Sequence, residues 1–206
     1  MLCNRRQFSS KRNIASNGGK CNPLQKIFLT TTKNFVIISG SESLYKQIRK
    51  GSDAVNKSEI AKLYDTYAQD VFRLALSYLY NSQDAEDVCH SVFLTLVEKN
   101  IILFPGKEKA WLLKCAANAC KDQLKSFWKQ NREEMDENII FADHHDRELW
   151  AVVGTLPPKY RAVLHLYYYE GYSQEEISGI LSISKTAVQT RMQRARNLLE
   201  KELNIP

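Results

Sequence analysis

The sequence predicts an all-α protein built as two small helical domains joined by a flexible acidic linker, the C-terminal one a helix-turn-helix domain. Three observations carry this expectation. Apolar residues recur at three- and four-residue steps from Ile60 onward, with no convincing strand alternation after residue 50 and no internal repeat. A polar, acidic stretch then interrupts that pattern, with Asn131 to Asn138 followed by Ala142 to Asp146. Beyond it, two short amphipathic segments meet at a Ser-rich turn. The expected organisation is a basic extension at 1–50, a first helical domain at 56–130, a linker at 131–148 and a second helical domain at 149–203.

The extension stands apart by charge. The chain has 206 residues and a formal net charge of +6. Residues 1–50 hold ten Lys and Arg against one acid, whereas residues 51–206 hold nineteen against twenty-two. The sequence pI near 9.0 therefore reports the extension. Any nucleic-acid surface on the folded body must come from local clustering. The extension is rich in Ser, Thr and Asn and is expected to be disordered. An organellar transit peptide, a mis-called start and a genuine basic tail all fit that composition.

In the first domain, Ile60, Leu63, Tyr64, Tyr67, Val71, Leu74, Ala75 and Tyr78 define one helix face. Asn81-Ser82 ends this helix, and Ser82 is expected to cap the next, which lines up Ala85, Val88, Val92 and Leu96. Phe104-Pro105-Gly106 closes that section. A third helix is expected from about Lys109 to Trp128. At 100° per residue, Lys114, Asn118, Lys121, Lys125, Lys129 and Arg132 fall within an arc of about 80°. Leu112, Leu113, Ala116, Ala119, Leu124 and Phe127 take the opposite side, and Trp111 and Trp128 flank the cations. Lysines beside flat rings suit a single strand, in which each phosphate offers a charge and each base a face. A solvated amphipathic helix with its tryptophans in the core accounts for the stripe equally well.

The second domain opens with Leu156-Pro-Pro-Lys-Tyr-Arg161 and an apolar segment from Ala162 to Glu170. Ser173 with Glu176 three residues later makes a capping box. Ile177, Ile180 and Leu181 give the following helix an apolar face, and Ser182 to Ser184 turn the chain into a last helix. There Val188, Met192, Ala195 and Leu199 point inward and leave Gln189, Thr190, Gln193 and Arg194 outside. Amide, hydroxyl and guanidinium groups on a second helix are what reading a major groove requires.

Other function classes find little support. The five cysteines are odd in number and form no Cys-x-x-Cys pair, so neither a disulfide framework nor a zinc site is expected, and a reducing cytoplasm fits. His144-His145 lies in an acidic stretch with no nearby thiol and is read as a solvated loop, not a metal site. No apolar run approaches the ~20 residues that span a bilayer. Cys89-His90 is the one arrangement that suggests a nucleophile, but adjacent helical residues point about 100° apart. No catalytic residue, metal or cofactor is expected.

The motifs in order resemble a known family. They are Asp84-Ala-Glu-Asp-Val88 with Val92-Phe-Leu94, Trp111 to Asn118 with Asp122, Leu156 to Arg161, Glu176-Ile177, Val188 to Arg191 and Arg194-Ala-Arg196. In identity and spacing they are similar to the two conserved regions of the extracytoplasmic-function (ECF) sigma factors of bacterial RNA polymerase, over about residues 56–203. The resemblance implies a region 2 domain, a linker and a region 4 domain. It implies core RNA polymerase as a partner, through the β′ clamp helices and the β subunit, together with promoter DNA and an anti-sigma factor. Carried over, Asp84, Glu86, Asp87 and His90 bind the polymerase core. Lys114, Asn118, Lys121, Asp122, Lys125 and Lys129 bind the minus-ten element. Lys185, Gln189, Thr190, Gln193 and Arg194 bind the minus-thirty-five element.

The chain departs from the family pattern in places. His90-Ser91 stands for Gln-Glu, Ala117 for Arg, Lys125 for Arg, Ser182 for a turn glycine, Ala187 for Thr and Gln189 for a basic residue. The last change bears on base preference, since Gln pairs with adenine where Arg pairs with guanine. The competing reading is a stand-alone helix-turn-helix regulator whose residues 56–130 sense a signal or dimerise. It would need neither the acidic cluster at Asp84–Asp87 nor a second nucleic-acid surface.

Overall fold

The computed structural model describes residues 54–99, 101, 103–127 and 151–203. The expected extension at 1–50 and linker at 131–148 lie outside the described residues, as do Trp128, Lys129, Arg132, His144 and His145.

Three helices form the first body: α1 (Ala54–Leu79), α2 (Ser82–Glu98) and α3 (Glu108–Phe127). The three-and-four spacing of α1 is realised as a buried stripe of Ile60, Tyr64, Val71, Leu74, Ala75 and Tyr78. Its continuity over 26 residues lets α1 serve as the spine against which α2 and α3 both pack. α2 contributes Ala85, Val88, Cys89, Val92, Phe93 and Leu96. The Phe93 ring meets the edge of Tyr64 with centroids 4.9 Å apart. α3 adds Leu112, Leu113, Ala116, Ala117 and Cys120 to the same core.

The cap of α2 differs by one residue from expectation. Asn81 is the N-cap and accepts the Asp84 amide at 3.0 Å, while Ser82 is already helical. Both side chains can cap, and the left-handed turn at Tyr80 (φ 57°) delivers Asn81, not Ser82, in the extended conformation that a cap needs. Before α3, Gly106 adopts φ 79°, a conformation that a side chain would resist, and so permits the tight return after Phe104.

The second body begins with helical residues 151–155, followed by α4 (Pro158–Leu164). Pro158 suits the first turn because its missing N–H would have no helical partner there. α4 widens at His165–Tyr169 into one π-helical turn, in which the Glu170 amide reaches back to the His165 carbonyl at 3.1 Å. Helices α5 (Gln174–Leu181) and α6 (Lys185–Glu202) complete the body. α4 and α6 close over Leu156, Tyr160, Leu164, Tyr168, Ala195 and Leu199.

The two bodies pack directly on one another. Val163, Leu166, Ile177, Leu181, Val188 and Met192 of the second belong to the same apolar cluster as Phe72, Leu76, Leu113 and Ala117 of the first. α4 lies on α1, and α5 lies on α3.

Candidate nucleic-acid and polymerase interfaces

The helix-turn-helix is built locally and closely follows the sequence. The Ser173 hydroxyl accepts the Glu176 amide at 3.3 Å, and the Glu176 carboxylate accepts the Ser173 amide at 2.9 Å. Ser182 ends α5 in the left-handed conformation (φ 55°), where the resembling family carries glycine. Ser184 then caps α6 by accepting the Ala187 amide at 3.1 Å. With Val188, Met192, Ala195 and Leu199 turned inward, Lys185, Gln189, Thr190, Gln193 and Arg194 are all exposed. They form two neighbouring columns, 185–189–193 and 190–194, each at four-residue steps.

The outer polar groups of α6 are held by exchangeable partners. Lys185 pairs with Glu175 at 2.8 Å, Gln189 donates to Gln174 at 3.2 Å and Gln193 donates to Asn197 at 2.8 Å. Thr190 returns its hydroxyl to the Thr186 carbonyl at 2.9 Å. All these contacts are exposed, so replacing them with DNA groups costs little.

On α3, Lys114, Asn118, Asp122 and Lys125 are exposed along one face. Lys125 pairs with Asp122 at 2.8 Å, with both side chains about three-quarters exposed. Lys121 is different. The wheel placed it in the open stripe, but its ammonium donates to the Leu181 carbonyl of α5 at 2.8 Å and lies 3.4 Å from Asn118 Oδ1. Burial, helped by nearby Arg191, lowers its pKa. Trp111 is half-buried and packs against the core, so its ring is committed to the fold. Lys129, the last residue of the expected stripe, lies outside the described residues.

On α2, Asp87 is exposed, and Asp84, Glu86 and His90 are half-buried. Asp84 is in the first turn, where a carboxylate also complements the helix dipole. Cys89 faces the core, its thiol 3.5 Å from the Ala68 carbonyl, and burial pushes that thiol up to about 12. Among the described residues, no group of His, Cys, Asp and Glu could hold a metal ion, and no helix is long and apolar enough to cross a membrane.

Sequence reasoning missed the polar seam between the two bodies. Arg161, buried, donates to the Ser77 and Tyr78 carbonyls, each at 2.7 Å, and to Leu156 and Gly154 at 2.6 and 2.9 Å. Burial lowers its pKa to about 10. Lys109 of α3 bridges Asp70 of α1 at 2.9 Å and Glu170 of the second body at 2.6 Å. Burial works against the Glu170 carboxylate, but His165, 3.5 Å away, and Lys109 outweigh it and hold its pKa below the ordinary value. Arg73 of α1 donates to the Tyr169 hydroxyl. A signal for one of these was present: Arg161 shares a helical face with Leu164 and Tyr168, so a cation stood at an inward position.

Comparison with known proteins bears on both bodies. The sequence model for Sigma-70 region 2 matches residues 63–130, and that for Sigma-70 region 4 matches residues 146–199. The RNA polymerase sigma factor SigV of Bacillus subtilis is 31% identical over 144 residues, covering 66% of this chain and 86% of SigV. The ECF RNA polymerase sigma factor SigM of the same organism is 28% identical over 151 residues, covering 68% of this chain and 93% of SigM. The fold is similar to that of the sigma factor RpoE from Bartonella quintana, solved in complex with the anti-sigma factor NepR. The TM-score is 0.58 at 16% identity, over 71% of this chain and 98% of RpoE.

Proposed function

Since the chain belongs to the ECF sigma factors of RNA polymerase and so directs promoter-specific transcription, we propose that three separate faces divide that work. The observation that carries this reading is the sorting of α6, whose Lys185, Gln189, Thr190, Gln193 and Arg194 are all exposed while Val188, Met192, Ala195 and Leu199 are buried.

α6 enters the major groove of the minus-thirty-five element. Lys185 and Arg194 meet phosphates and hold register, while Gln189, Thr190 and Gln193 meet base edges. A bidentate Gln–adenine pair is worth about 1–3 kcal/mol of discrimination, so the amide at 189 biases base choice. α3 handles the separated strand of the minus-ten element. Lys114, Lys121, Lys125 and Lys129 neutralise phosphates, Asn118 supplies donor and acceptor to a base edge, and Asp122 orients Lys125. Asp84, Glu86, Asp87 and His90 on α2 dock on a basic surface of the polymerase, the β′ clamp helices, because acids repel phosphate and attract a cationic protein face.

In this reading the domains run 56–130 and 149–203 with a linker at 131–148. The site of action is the cytoplasm, and an anti-sigma factor is a regulatory partner, as NepR is in the RpoE complex. Reconstitution with core polymerase on a promoter library tests the assignment. Asp87→Lys should weaken core binding and leave helix content intact, and Asn118→Ala should slow open-complex formation without loss of core binding. Unchanged core affinity for Asp87→Lys would reduce the α2 acids to helix caps, and normal opening with Asn118→Ala would remove that residue from strand handling.

A further inference from the structure

We propose that Gln174, in the first turn of α5, is a positioning residue for base choice: it holds the Gln189 carboxamide of α6 in the orientation that reads adenine. This role rests on the placement of α6 in the upstream element and assigns specificity to a residue outside the recognition helix. The start of α5 is fixed by its own sequence. The Ser173 hydroxyl and the Glu176 carboxylate close the capping box, so the helix begins at Gln174 and presents Gln174 and Glu175 in its first turn. Both side chains reach across to α6. Gln174 Oε1 accepts from Gln189 Nε2 at 3.2 Å, and the Glu175 carboxylate meets the Lys185 ammonium at 2.8 Å. Lys185 and Gln189 lie one turn apart on the outer face of α6, so two adjacent residues of α5 brace two successive members of the 185–189–193 column. Gln174 is half-buried whereas Gln189 is exposed, which makes Gln174 the better-fixed partner of the two.

The chemistry of the amide explains what such a brace does. A carboxamide has two N–H donors and one acceptor oxygen. Pairing with adenine uses the oxygen, which accepts from N6, and one N–H, which donates to N7. The second N–H is left over. An acceptor held beside it takes that donor and fixes the amide plane, because reversing Gln189 alone would set oxygen against oxygen. Gln174 Oε1 is such an acceptor. Gln189 therefore meets DNA with donor and acceptor already sorted, and it keeps Gln174 as a partner when the base arrives. Without Gln174, the long side chain is ordered only at the moment of binding, which costs about two- to tenfold in affinity for the cognate base. A base that forms no bidentate pair demands no such ordering. The loss thus reads as relaxed choice at one base pair, not as uniformly weaker binding. Glu175 has the coarser task, since the Lys185 ammonium is a point charge with no plane to orient.

The test uses the full chain with core polymerase on a promoter library varied one base pair at a time across the upstream element. Gln189→Ala first marks the pair that the amide reads. Gln174→Met keeps length and helix propensity but has no amide. It should lower the preference at that same pair by about two- to tenfold and leave neighbouring positions unchanged. In the Gln189→Ala background it should cause no further change there. Gln174→Glu restores the acceptor and adds a negative charge, so base preference should return while binding to every sequence weakens. Four results would overturn the positioning role: preference unaltered by Gln174→Met, an equal further relaxation in the Gln189→Ala background, an even loss across all sequences with Gln174→Met, or Gln174→Glu as relaxed as Gln174→Met. Each of these leaves α6 as the reader. If instead Gln189→Ala itself alters no preference, the reading of α6 fails, and the role of Gln174 falls with it.

Discussion

Helices α3 and α6 are of similar length, 20 and 18 residues, and each carries cations on its outer face. They differ in what surrounds them. α6 packs mainly within its own body, with Val188 and Met192 reaching the shared core, so one face is buried, the opposite one is exposed, and a two-colour helical wheel describes it. α3 lies between α1 and α2 on one flank and α5 on another. It therefore has three kinds of surface: a core face, a free face with Lys114, Asn118 and Lys125, and a seam carrying Ala117 and Lys121. Ala117 is fully buried at the position where the related family carries Arg, and Lys121 is tied to the Leu181 carbonyl. A basic stripe at an interface is thus divided between solvent and a neighbouring backbone, although the sequence spaces its lysines evenly.

The strongest way to break this contrast is to remove the seam's buried cation. Arg161→Ala leaves four carbonyls without their donor, two in each body. Orphaned buried acceptors and a lost charge-assisted donor should cost about 3–5 kcal/mol, read as a lower midpoint in urea unfolding of the full chain. A loss below about 1 kcal/mol would mean that water replaces the guanidinium and that the seam adds little.

Such a seam was hard to read beforehand for a physical reason. Periodicity reports which face of a helix avoids water, and it correctly gave the α1 stripe, the inward Val188–Met192–Ala195–Leu199 row and the capping box at Ser173. All of these are local or amphipathic features. The seam instead consists of charged side chains satisfied by partners 84 and 61 positions away, as in Arg161 to Ser77 and Lys109 to Glu170. Neither periodicity nor local spacing marks such partners. Lys121, expected in an open stripe, is half-buried and bonded to the Leu181 carbonyl for the same reason, whereas the polar residues of α6 are exposed as the wheel places them. The π-helical turn at His165–Tyr169 carries no periodic mark either, since one widened turn only shifts the apolar phase.

Binding to DNA sharpens the comparison from the other side. Gln189→Ala should relax base preference at one position of the upstream element by about 1–3 kcal/mol, while Arg194→Ala should weaken all sequences nearly evenly. Both side chains lie outside the seam, so neither should lower the unfolding midpoint. A promoter-library profile unaltered by Gln189→Ala, at full activity, would remove that amide from base reading. On α3, Lys125→Ala should reduce the slope of log affinity against log salt by about 1, because a single phosphate contact disappears. Lys121→Ala should do the same and also lower the unfolding midpoint, since it severs the bond to the Leu181 carbonyl. Identical behaviour of the two alanine variants in both assays would erase the distinction between the free face and the seam.

The smallest expected effect lies in the turn between α5 and α6, and it tests whether the recognition helix is held by local geometry alone. Ser182 is left-handed (φ 55°), a conformation that costs a residue with a side chain roughly 1–2 kcal/mol. Glycine relieves that cost but adds backbone freedom to the unfolded chain, worth roughly 0.5–1 kcal/mol in the other direction. Ser182→Gly should therefore stabilise the second body by about 0.5–1 kcal/mol, seen as a small rise in the unfolding midpoint, with promoter selectivity unchanged. Ser182 is exposed and its side chain caps nothing in α5, so no contact is lost to offset the gain. Were the variant instead destabilised, the serine hydroxyl would be supporting the turn, and the recognition helix would depend on a side-chain contact as the seam on α3 does.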